Sequence, residues 1–227
     1  PISFYNSTSS EGKPIYGWIP TKDTADRKFP LIGFMHGSTG QWEFYDDILN
    51  HYSTHGAVVV FPFVKSPQKD KNPFTTNTDG TILMASIEHA KAANKDPSSP
   101  LYNMIDEDNI VIAGHSMGAT DSIMASHKLP AAKLTVTQHP GICGPFGPPP
   151  SPNTWMPADL AEVMEKNPVL FTTATNDGAF WPAPYTAYHE YGCYNKTLAL
   201  VSETAKPHSF VEFSKEACAE DNDRKPF

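Results

Sequence analysis

The sequence predicts an α/β fold, with a mostly parallel central sheet flanked by helices on both faces. The chain of 227 residues is long enough to bury one sizeable core. Its strand-like segments are continuous apolar runs, which is typical of strands that are buried on both faces of a sheet. Helical patterns separate these runs, as they do in doubly wound sheets. We therefore expect a single domain over residues 1–227, with its C-terminal helix truncated.

Six apolar runs are the predicted strands. The first ends at a glycine-rich turn, and the second is stopped by Pro62. The full set covers residues 31–35, 57–61, 110–113, 134–137, 169–173 and 198–201.

Five segments between these runs have helical spacing. In the first of them, Tyr45, Ile48, Leu49 and Tyr52 recur at intervals that place them on one helix face. The stretch 144–152 is rich in proline and fits neither a helix nor an interior strand, so we expect a rigid surface loop there. The predicted helices cover residues 45–52, 80–93, 117–127, 157–165 and 184–191.

Charge and hydropathy argue against two classes of partner. The chain has 17 Lys and Arg against 25 Asp and Glu, a net charge of −8, and it has no basic block that could neutralise phosphates. We therefore expect no nucleic-acid partner. The longest apolar runs, at residues 31–35 and 57–61, fall far short of the roughly 20 residues of a membrane span, so we expect no stable membrane insertion.

The motif Gly114-His-Ser-Met-Gly118 carries the strongest functional signal. It directly follows the predicted strand 110–113 and directly precedes the predicted helix 117–127. In that context a G-x-S-x-G sequence forms a tight turn that exposes the serine hydroxyl above the sheet. The small residues are needed because side chains at the two glycines would clash with neighbouring elements. We therefore predict that Ser116 is a catalytic nucleophile.

A serine nucleophile needs a base, which is itself oriented by an acid. In hydrolases with this turn, the acid and then the histidine follow the serine along the chain. Asp177 comes at the end of the apolar strand that begins at residue 169, and His208 lies in the loop after the last predicted strand. We assign them as acid and base, because His127 and His189 belong to predicted helices.

An oxyanion hole needs backbone N–H groups from two segments. The glycine-rich turn His36-Gly-Ser-Thr-Gly40 follows the first predicted strand and supplies the Ser38 N–H. The Met117 N–H, at the start of the helix after the nucleophile, is the second donor. We interpret His36 and His115 as hydrogen-bonding residues that stabilise these two turns.

Residues 30–213 resemble the α/β-hydrolase superfamily. The approach to the nucleophile, Ser98-Ser-Pro-Leu-Tyr102 followed by Asp106 and residues 109–118, is similar to that of bacterial polyester hydrolases of the cutinase and PET-hydrolase type. The pair Asn176-Asp177 and the Ser209 after His208 fit the same pattern.

The segment from Phe34-Met-His-Gly37 to Phe44-Tyr45, followed by Ser53-Thr-His-Gly56 and a valine run, is equally similar to plant chlorophyllases. Neither resemblance is complete. Ser38 stands where polyester hydrolases carry an aromatic residue, and Gly141 lies near the position of their tryptophan. Met117 stands where chlorophyllases usually carry arginine.

The substrate clamp therefore differs from that of either family. We expect aromatic surface for the substrate from Phe180, Trp181 and Trp42, with His139 lining the same site at a strand end.

The resemblance implies a serine carboxylic-ester hydrolase of the lipase, cutinase or polyester-hydrolase kind, which forms an acyl-enzyme on a hydrophobic ester substrate. It needs no cofactor or metal, and we expect a monomer. One alternative is a chlorophyllase-like esterase that releases a long isoprenoid alcohol. The other is an α/β-hydrolase scaffold kept as a binding protein, which has no need for nucleophile, acid and base together. His51 and His55 have a metal-binding spacing, but no third ligand is apparent.

Two sequons, at Asn6 and Asn195, are compatible with secretion. Cys193 and Cys218 bracket the His208 loop, and a disulfide between them would constrain it, leaving Cys143 as the odd thiol. We therefore expect a secreted protein or one of an organelle lumen.

Overall fold

The computed structural model describes residues 2–10, 12–21, 27–38, 40–64, 80–140, 167–174 and 196–201. Within these ranges the chain forms eight strands and three helices. The strands are β1 (Ile2–Thr8), β2 (Pro14–Pro20), β3 (Phe29–Met35), β4 (Val58–Pro62), β5 (Ile105–His115), β6 (Ala132–Gln138), β7 (Val169–Ala174) and β8 (Lys196–Val201). The helices are α1 (Trp42–Thr54), α2 (Thr81–Ala93) and α3 (Met117–Lys128).

The described strands form one sheet in the order β1-β2-β4-β3-β5-β6-β7-β8. Strand β2 runs antiparallel to β1 and β4, and the strands from β4 to β8 pair in parallel. After β3 the chain crosses to β4 on one side, whereas β5 lies on the other side of β3. Such a switch in direction leaves a crevice beyond the carboxyl ends of the two central strands. The turns after β3 and β5 therefore meet at the place where α/β sheets bind ligands.

Helices cover both faces of the sheet. On one face, α1 packs Tyr45 and Leu49 into a cluster with Phe34 and Phe61. On the other face, α2 and α3 contribute to a second, larger cluster. All five residues of β4 are buried, with Val59 and Phe61 in the first cluster and Val58 and Val60 in the second. The predicted α/β architecture, with continuous apolar strands buried on two sides, is confirmed.

The antiparallel strands β1 and β2 were not predicted. Every side chain from Ser3 to Thr8 is exposed or half-buried, so β1 has no apolar run to reveal it. Strand β5 also begins earlier than the predicted residue 110, because the polar residues before Ile110 form an irregularity where the pairing with β3 skips from Asp106 to Ile110. The predicted helices 157–165 and 184–191 and the loop 144–152 lie outside the described residues.

None of the helices in the described part of the chain is long and apolar enough to cross a membrane.

The turn between α2 and β5 is organised by the buried side chain of Asn94. Its Oδ1 accepts the N–H groups of Met104 at 2.8 Å and Ile105 at 2.9 Å. Its Nδ2 donates to the Ile105 carbonyl at 3.2 Å and to Glu107 Oε1 at 3.1 Å. This amide bonds backbone groups at the start of β5, and so it helps to fix the beginning of the strand that leads to Ser116.

We expect Asn94→Ala to lower the free energy of unfolding by roughly 2–4 kcal/mol, because it removes the buried side-chain hydrogen bonds to the Met104 N–H and to the Ile105 N–H and carbonyl. Urea denaturation followed by circular dichroism measures the loss. The control is Asn109→Ala, which removes an exposed amide bonded to Asp106 at 2.6 Å and should cost less than about 1 kcal/mol. Equal losses in the two variants would contradict this role for Asn94.

Candidate active site

Ser116 occupies the turn between β5 and α3. Its backbone has φ of 55° and ψ of −118°, a left-handed conformation that is costly for any residue with a side chain. Two hydrogen bonds hold this conformation: the Ser116 N–H donates to the Gln138 carbonyl at 2.9 Å, and the Ala119 N–H donates to the Ser116 carbonyl at 3.1 Å. The strained backbone lies between a strand end and a helix start, which is the geometry expected of a nucleophile turn.

The two glycines of the motif make direct backbone contacts. A Cβ built on Gly114 would overlap the carbonyl oxygen of Gly118, and one on Gly118 would overlap the carbonyl oxygen of Met35. The Gly118 Cβ would also lie 2.5 Å from the His36 carbonyl oxygen. The G-x-S-x-G spacing therefore reflects a turn that packs against itself and against the end of β3.

The glycine-rich turn after β3, described at residues 36–38 and 40, lies against this nucleophile turn. A Cβ built on Gly37 would lie 2.9 Å from Nδ1 of His115 and 3.1 Å from Cβ of Ser116. Ser38, which follows Gly37, is half-buried, as is Met117 at the first position of α3. The first N–H groups of a helix have no partner within that helix and lie at the positive end of its dipole. The segments that carry both expected oxyanion donors thus approach the same turn.

His36 holds the peptide between Gly37 and Ser38. Its Nδ1 lies 2.6 Å from the Gly37 carbonyl oxygen, which can only accept, and its Nε2 receives the Val64 N–H at 3.0 Å. These two bonds require a neutral imidazole with the proton on Nδ1. The Gly40 N–H donates to the same Gly37 carbonyl at 3.0 Å. Because the peptide is planar and trans, fixing this carbonyl also fixes the direction of the Ser38 N–H.

Burial lowers the pKa of the His36 imidazole below its ordinary value, and the hydrogen bond to the Gly37 carbonyl opposes this shift only in part. The ring also stacks on Phe61 at 5.4 Å between centroids. In the folded protein this histidine therefore binds a proton less readily than in the unfolded chain.

We expect the free energy of unfolding to fall as the pH drops below about 6.5, because the unfolded state then binds a proton that folded His36 resists. Above that pH, the imidazole is neutral in both states and the contribution vanishes. The limiting slope for one such group is about 1.4 kcal/mol per pH unit. Urea denaturation between pH 7.5 and 5 should show a shallower slope for His36→Asn than for the wild type.

The control for this measurement is His55→Asn, which replaces an exposed histidine at the end of α1. A change of slope as large as that of His36→Asn would show that the effect is not specific to His36. A wild-type slope in His36→Asn would show that His36 takes up a proton equally well in the folded and unfolded states.

Two of the residues expected to contact substrate lie within the described ranges. Trp42 packs its ring against Phe4 at 5.1 Å, Tyr16 at 5.7 Å and Trp18 at 6.1 Å, in an aromatic cluster on the antiparallel edge of the sheet. His139 follows β6 with φ of 47°, is fully buried, and places its ring edge-on to His115 at 5.9 Å.

Several assignments lie outside the described residues, and they stay predictions. They are Asp177, His208, Phe180, Trp181, Asn195 and the cysteines Cys143, Cys193 and Cys218.

The described part of the chain holds no group of three or more His, Cys, Asp and Glu side chains arranged for a metal ion. The rings of His51 and His55 lie 4.2 Å apart on the exposed end of α1, and Nδ1 of His55 donates to the His51 carbonyl at 2.8 Å.

Tyr45 is a residue of this site that the sequence motifs do not predict. The Tyr45 hydroxyl accepts the Gly37 N–H at 2.8 Å and forms a second hydrogen bond, of 2.9 Å, with Nδ1 of His115. The only signal in the sequence was the Phe44-Tyr45 pair shared with chlorophyllases.

A family model described as Chlorophyllase matches residues 2–139. The matched span contains the turn 36–40, Tyr45 and Ser116. A search of curated proteins gave no match.

Among solved structures, the chain is similar to a candidate dienelactone hydrolase from Klebsiella pneumoniae, with a TM-score of 0.65 and 15% identity over 96% of this chain and 91% of that one. It is also similar to the acylaminoacyl peptidase of Pyrococcus horikoshii, with a TM-score of 0.65 and 13% identity over 98% of this chain and 41% of that one. The chain thus spans less than half the length of that peptidase. These likenesses confirm the predicted α/β-hydrolase fold.

Proposed function

Because the chain belongs to the chlorophyllase family, we propose that it is a serine carboxylic-ester hydrolase whose acyl-enzyme forms on Ser116. Family and fold support the coarser statement, that the protein is a serine hydrolase. The observation that carries the finer proposal is the strained Ser116 turn with the glycine-rich turn 36–40 packed against it. Backbone strain of this kind costs folding free energy and persists where function requires it.

In the proposed reaction, His208 takes the Ser116 proton as the serine oxygen attacks the ester carbonyl. The Ser38 and Met117 N–H groups stabilise the negative oxygen of the tetrahedral intermediate. The intermediate expels the alcohol, which receives the proton from His208 and leaves the acyl group on Ser116. Water then attacks the acyl-enzyme by the same route and releases the acid. Asp177 orients the imidazole throughout.

Family membership favours a chlorophyllase-like substrate, an ester of a long isoprenoid alcohol, as the first to test. The matched region includes both the nucleophile and the oxyanion turn. Polyesters and lipase-type esters are the alternatives, and a hydrophobic ester is common to all three. Met117 stands in place of the usual arginine, and this departure favours testing esters with other acid and alcohol groups as well.

Two assays test the proposal. Labelling with a fluorophosphonate probe asks whether Ser116 is an activated nucleophile, and a non-catalytic binding scaffold would not be labelled. A panel of p-nitrophenyl esters of increasing chain length, with chlorophyll and a polyester film, then identifies the substrate class. Absence of both labelling and ester hydrolysis would overturn the proposal.

We expect Trp181→Ala to raise KM several-fold for an aromatic or long-chain ester and to leave acetate-ester turnover nearly unchanged. Trp181 comes shortly after Asp177, and an indole beside that aspartate would stack on bulky acyl groups. Such stacking contributes about 0.5–1.5 kcal/mol of binding free energy. The control is Tyr102→Ala, which removes an aromatic side chain that is 48% exposed. Equal losses of activity on short and bulky esters, together with a lower Tm, would instead show that Trp181 packs within the protein.

We further propose that the protein is a monomer and is secreted or resides in an organelle lumen. The side chain of Asn6, in the first sequon, is exposed on β1 and is therefore accessible to glycosylation. Intact mass after expression through a eukaryotic secretory pathway, compared with that of Asn6→Gln, tests this proposal. An unmodified Asn6 would remove its support.

A further inference from the structure

Tyr45 connects the two backbone segments that the proposed mechanism uses. Gly37, whose N–H its hydroxyl accepts at 2.8 Å, belongs to the oxyanion turn. His115, whose Nδ1 its hydroxyl contacts at 2.9 Å, directly precedes Ser116. Tyr45 itself comes from a third element, the first turns of α1. One side chain therefore ties the turn after β3 to the turn after β5.

The glycines of the oxyanion turn provide the space for this hydroxyl. A Cβ built on Gly40 would lie 2.9 Å from both Cε2 and the hydroxyl oxygen of Tyr45, and one on Gly37 would lie 3.2 Å from that oxygen. The two distances from the Gly40 Cβ are shorter than those that real Cβ atoms show. The turn thus carries glycine at two positions that both approach Tyr45.

The Tyr45 ring is held rigidly, so the hydroxyl needs no further ordering when substrate binds. The residue is fully buried, and its ring packs against Phe34 at 5.3 Å, Phe61 at 5.6 Å and His115 at 5.8 Å between centroids. These contacts come from β3, β4 and β5, the central strands of the sheet. The hydroxyl is therefore fixed with respect to the strand ends that carry both turns.

We propose that Tyr45 is a positioning residue for oxyanion stabilisation. By holding the Gly37 N–H, it keeps the turn 36–40 against Ser116 and so keeps the Ser38 N–H aimed before the reaction begins. Donors that are already aimed stabilise a transition state without any cost of reorganisation. This inference rests on the proposed function of Ser116 and Ser38, and it places no reacting atom on Tyr45.

The first test is kinetic. Tyr45→Phe keeps the ring and removes only the hydroxyl, and it should lower kcat by about 10- to 100-fold with less than about a twofold change in KM. Affinity for an arylboronic acid, which forms a tetrahedral adduct with an active serine, should fall in parallel with kcat. The matched control is Tyr5→Phe, which removes a hydroxyl bonded to the His89 ring at 2.9 Å on the far edge of the sheet. It should leave kcat and boronate affinity unchanged.

The second test does not need a substrate. Amide hydrogen exchange of Gly37, followed by NMR, should be at least about tenfold faster in Tyr45→Phe than in the wild type and unchanged in Tyr5→Phe. Gly40→Ala, which crowds the Tyr45 hydroxyl, should accelerate the same amide and serves as the second variant if Tyr45→Phe does not fold.

The outcomes separate this inference from the proposed function. A wild-type protein without ester hydrolysis or fluorophosphonate labelling would overturn the function, and Gly37 exchange would still decide whether Tyr45 anchors the turn. If the wild type is active, either of two results would overturn the Tyr45 inference. One is a kcat of Tyr45→Phe within about twofold of the wild type, and the other is Gly37 exchange in Tyr45→Phe at the wild-type rate. Equal kinetic losses in Tyr45→Phe and Tyr5→Phe would also overturn it.

Discussion

Ser116→Ala should lower kcat for ester hydrolysis by about 10⁴-fold or more and should abolish labelling by a fluorophosphonate. The substitution removes one oxygen, the atom that would carry the acyl group. In serine hydrolases the loss of the nucleophile removes nearly all catalysis that the triad supplies, and it leaves only the part that comes from binding and the oxyanion hole. Initial rates on a p-nitrophenyl ester, with enzyme concentration corrected for folded fraction, measure the effect.

Two further variants make this prediction specific to Ser116. Ser116→Gly should be as inactive as Ser116→Ala. Its free energy of unfolding should be about 1–2 kcal/mol higher than that of Ser116→Ala, because glycine relieves the strain at a φ of 55°. Ser126→Ala removes another buried serine of α3, one bonded to the Thr135 hydroxyl at 2.5 Å, and should cost stability while activity remains. Hydrolysis at the wild-type rate in Ser116→Ala would contradict the proposed nucleophile.

The predictable parts of the fold are the elements whose burial shows as a short, continuous apolar run in the sequence. Strand β4 lies between two helical layers, so all five of its residues are buried and its apolar run is continuous. Strand β1 lies at the edge of the sheet and pairs only with β2, so its sequence needs no such run. Edge strands of this kind are stabilised by pairing, which a local hydrophobic pattern does not report.

The same distinction applies to the site. The nucleophile turn was predictable because the backbone contact between Gly114 and Gly118 joins residues four positions apart and leaves a fixed spacing. The bond between Tyr45 and His115 joins residues separated by 70 positions. It depends on how α1 packs on the sheet, and nothing in the neighbouring sequence specifies that packing. His36 was expected to form hydrogen bonds, but its partner Val64 is 28 positions away and its neutral state follows only from the fold.

Gly118→Ala should greatly lower the stability of the protein. The added Cβ would overlap the Met35 carbonyl oxygen and lie 2.5 Å from the His36 carbonyl oxygen and 2.6 Å from the Met35 carbonyl carbon. All three are backbone atoms at the end of β3, so no side-chain rotation can relieve the contact. Either α3 or the strand end must move, and both movements separate Ser116 from the oxyanion turn. We expect a loss of at least about 3 kcal/mol in the free energy of unfolding.

Urea denaturation and fluorophosphonate labelling of the soluble fraction measure this effect, and labelling should be lost even where the variant still folds. The comparison is Gly12→Ala, in the turn between β1 and β2, where a Cβ would meet no atom within 4 Å and the φ of 66° alone is unfavourable. That strain should cost only about 1–2 kcal/mol and leave labelling intact. If Gly118→Ala were labelled at the wild-type rate and were no less stable than Gly12→Ala, the turn would not pack against β3 as closely as the structure has it. The spacing of the two glycines around Ser116 would then need another cause.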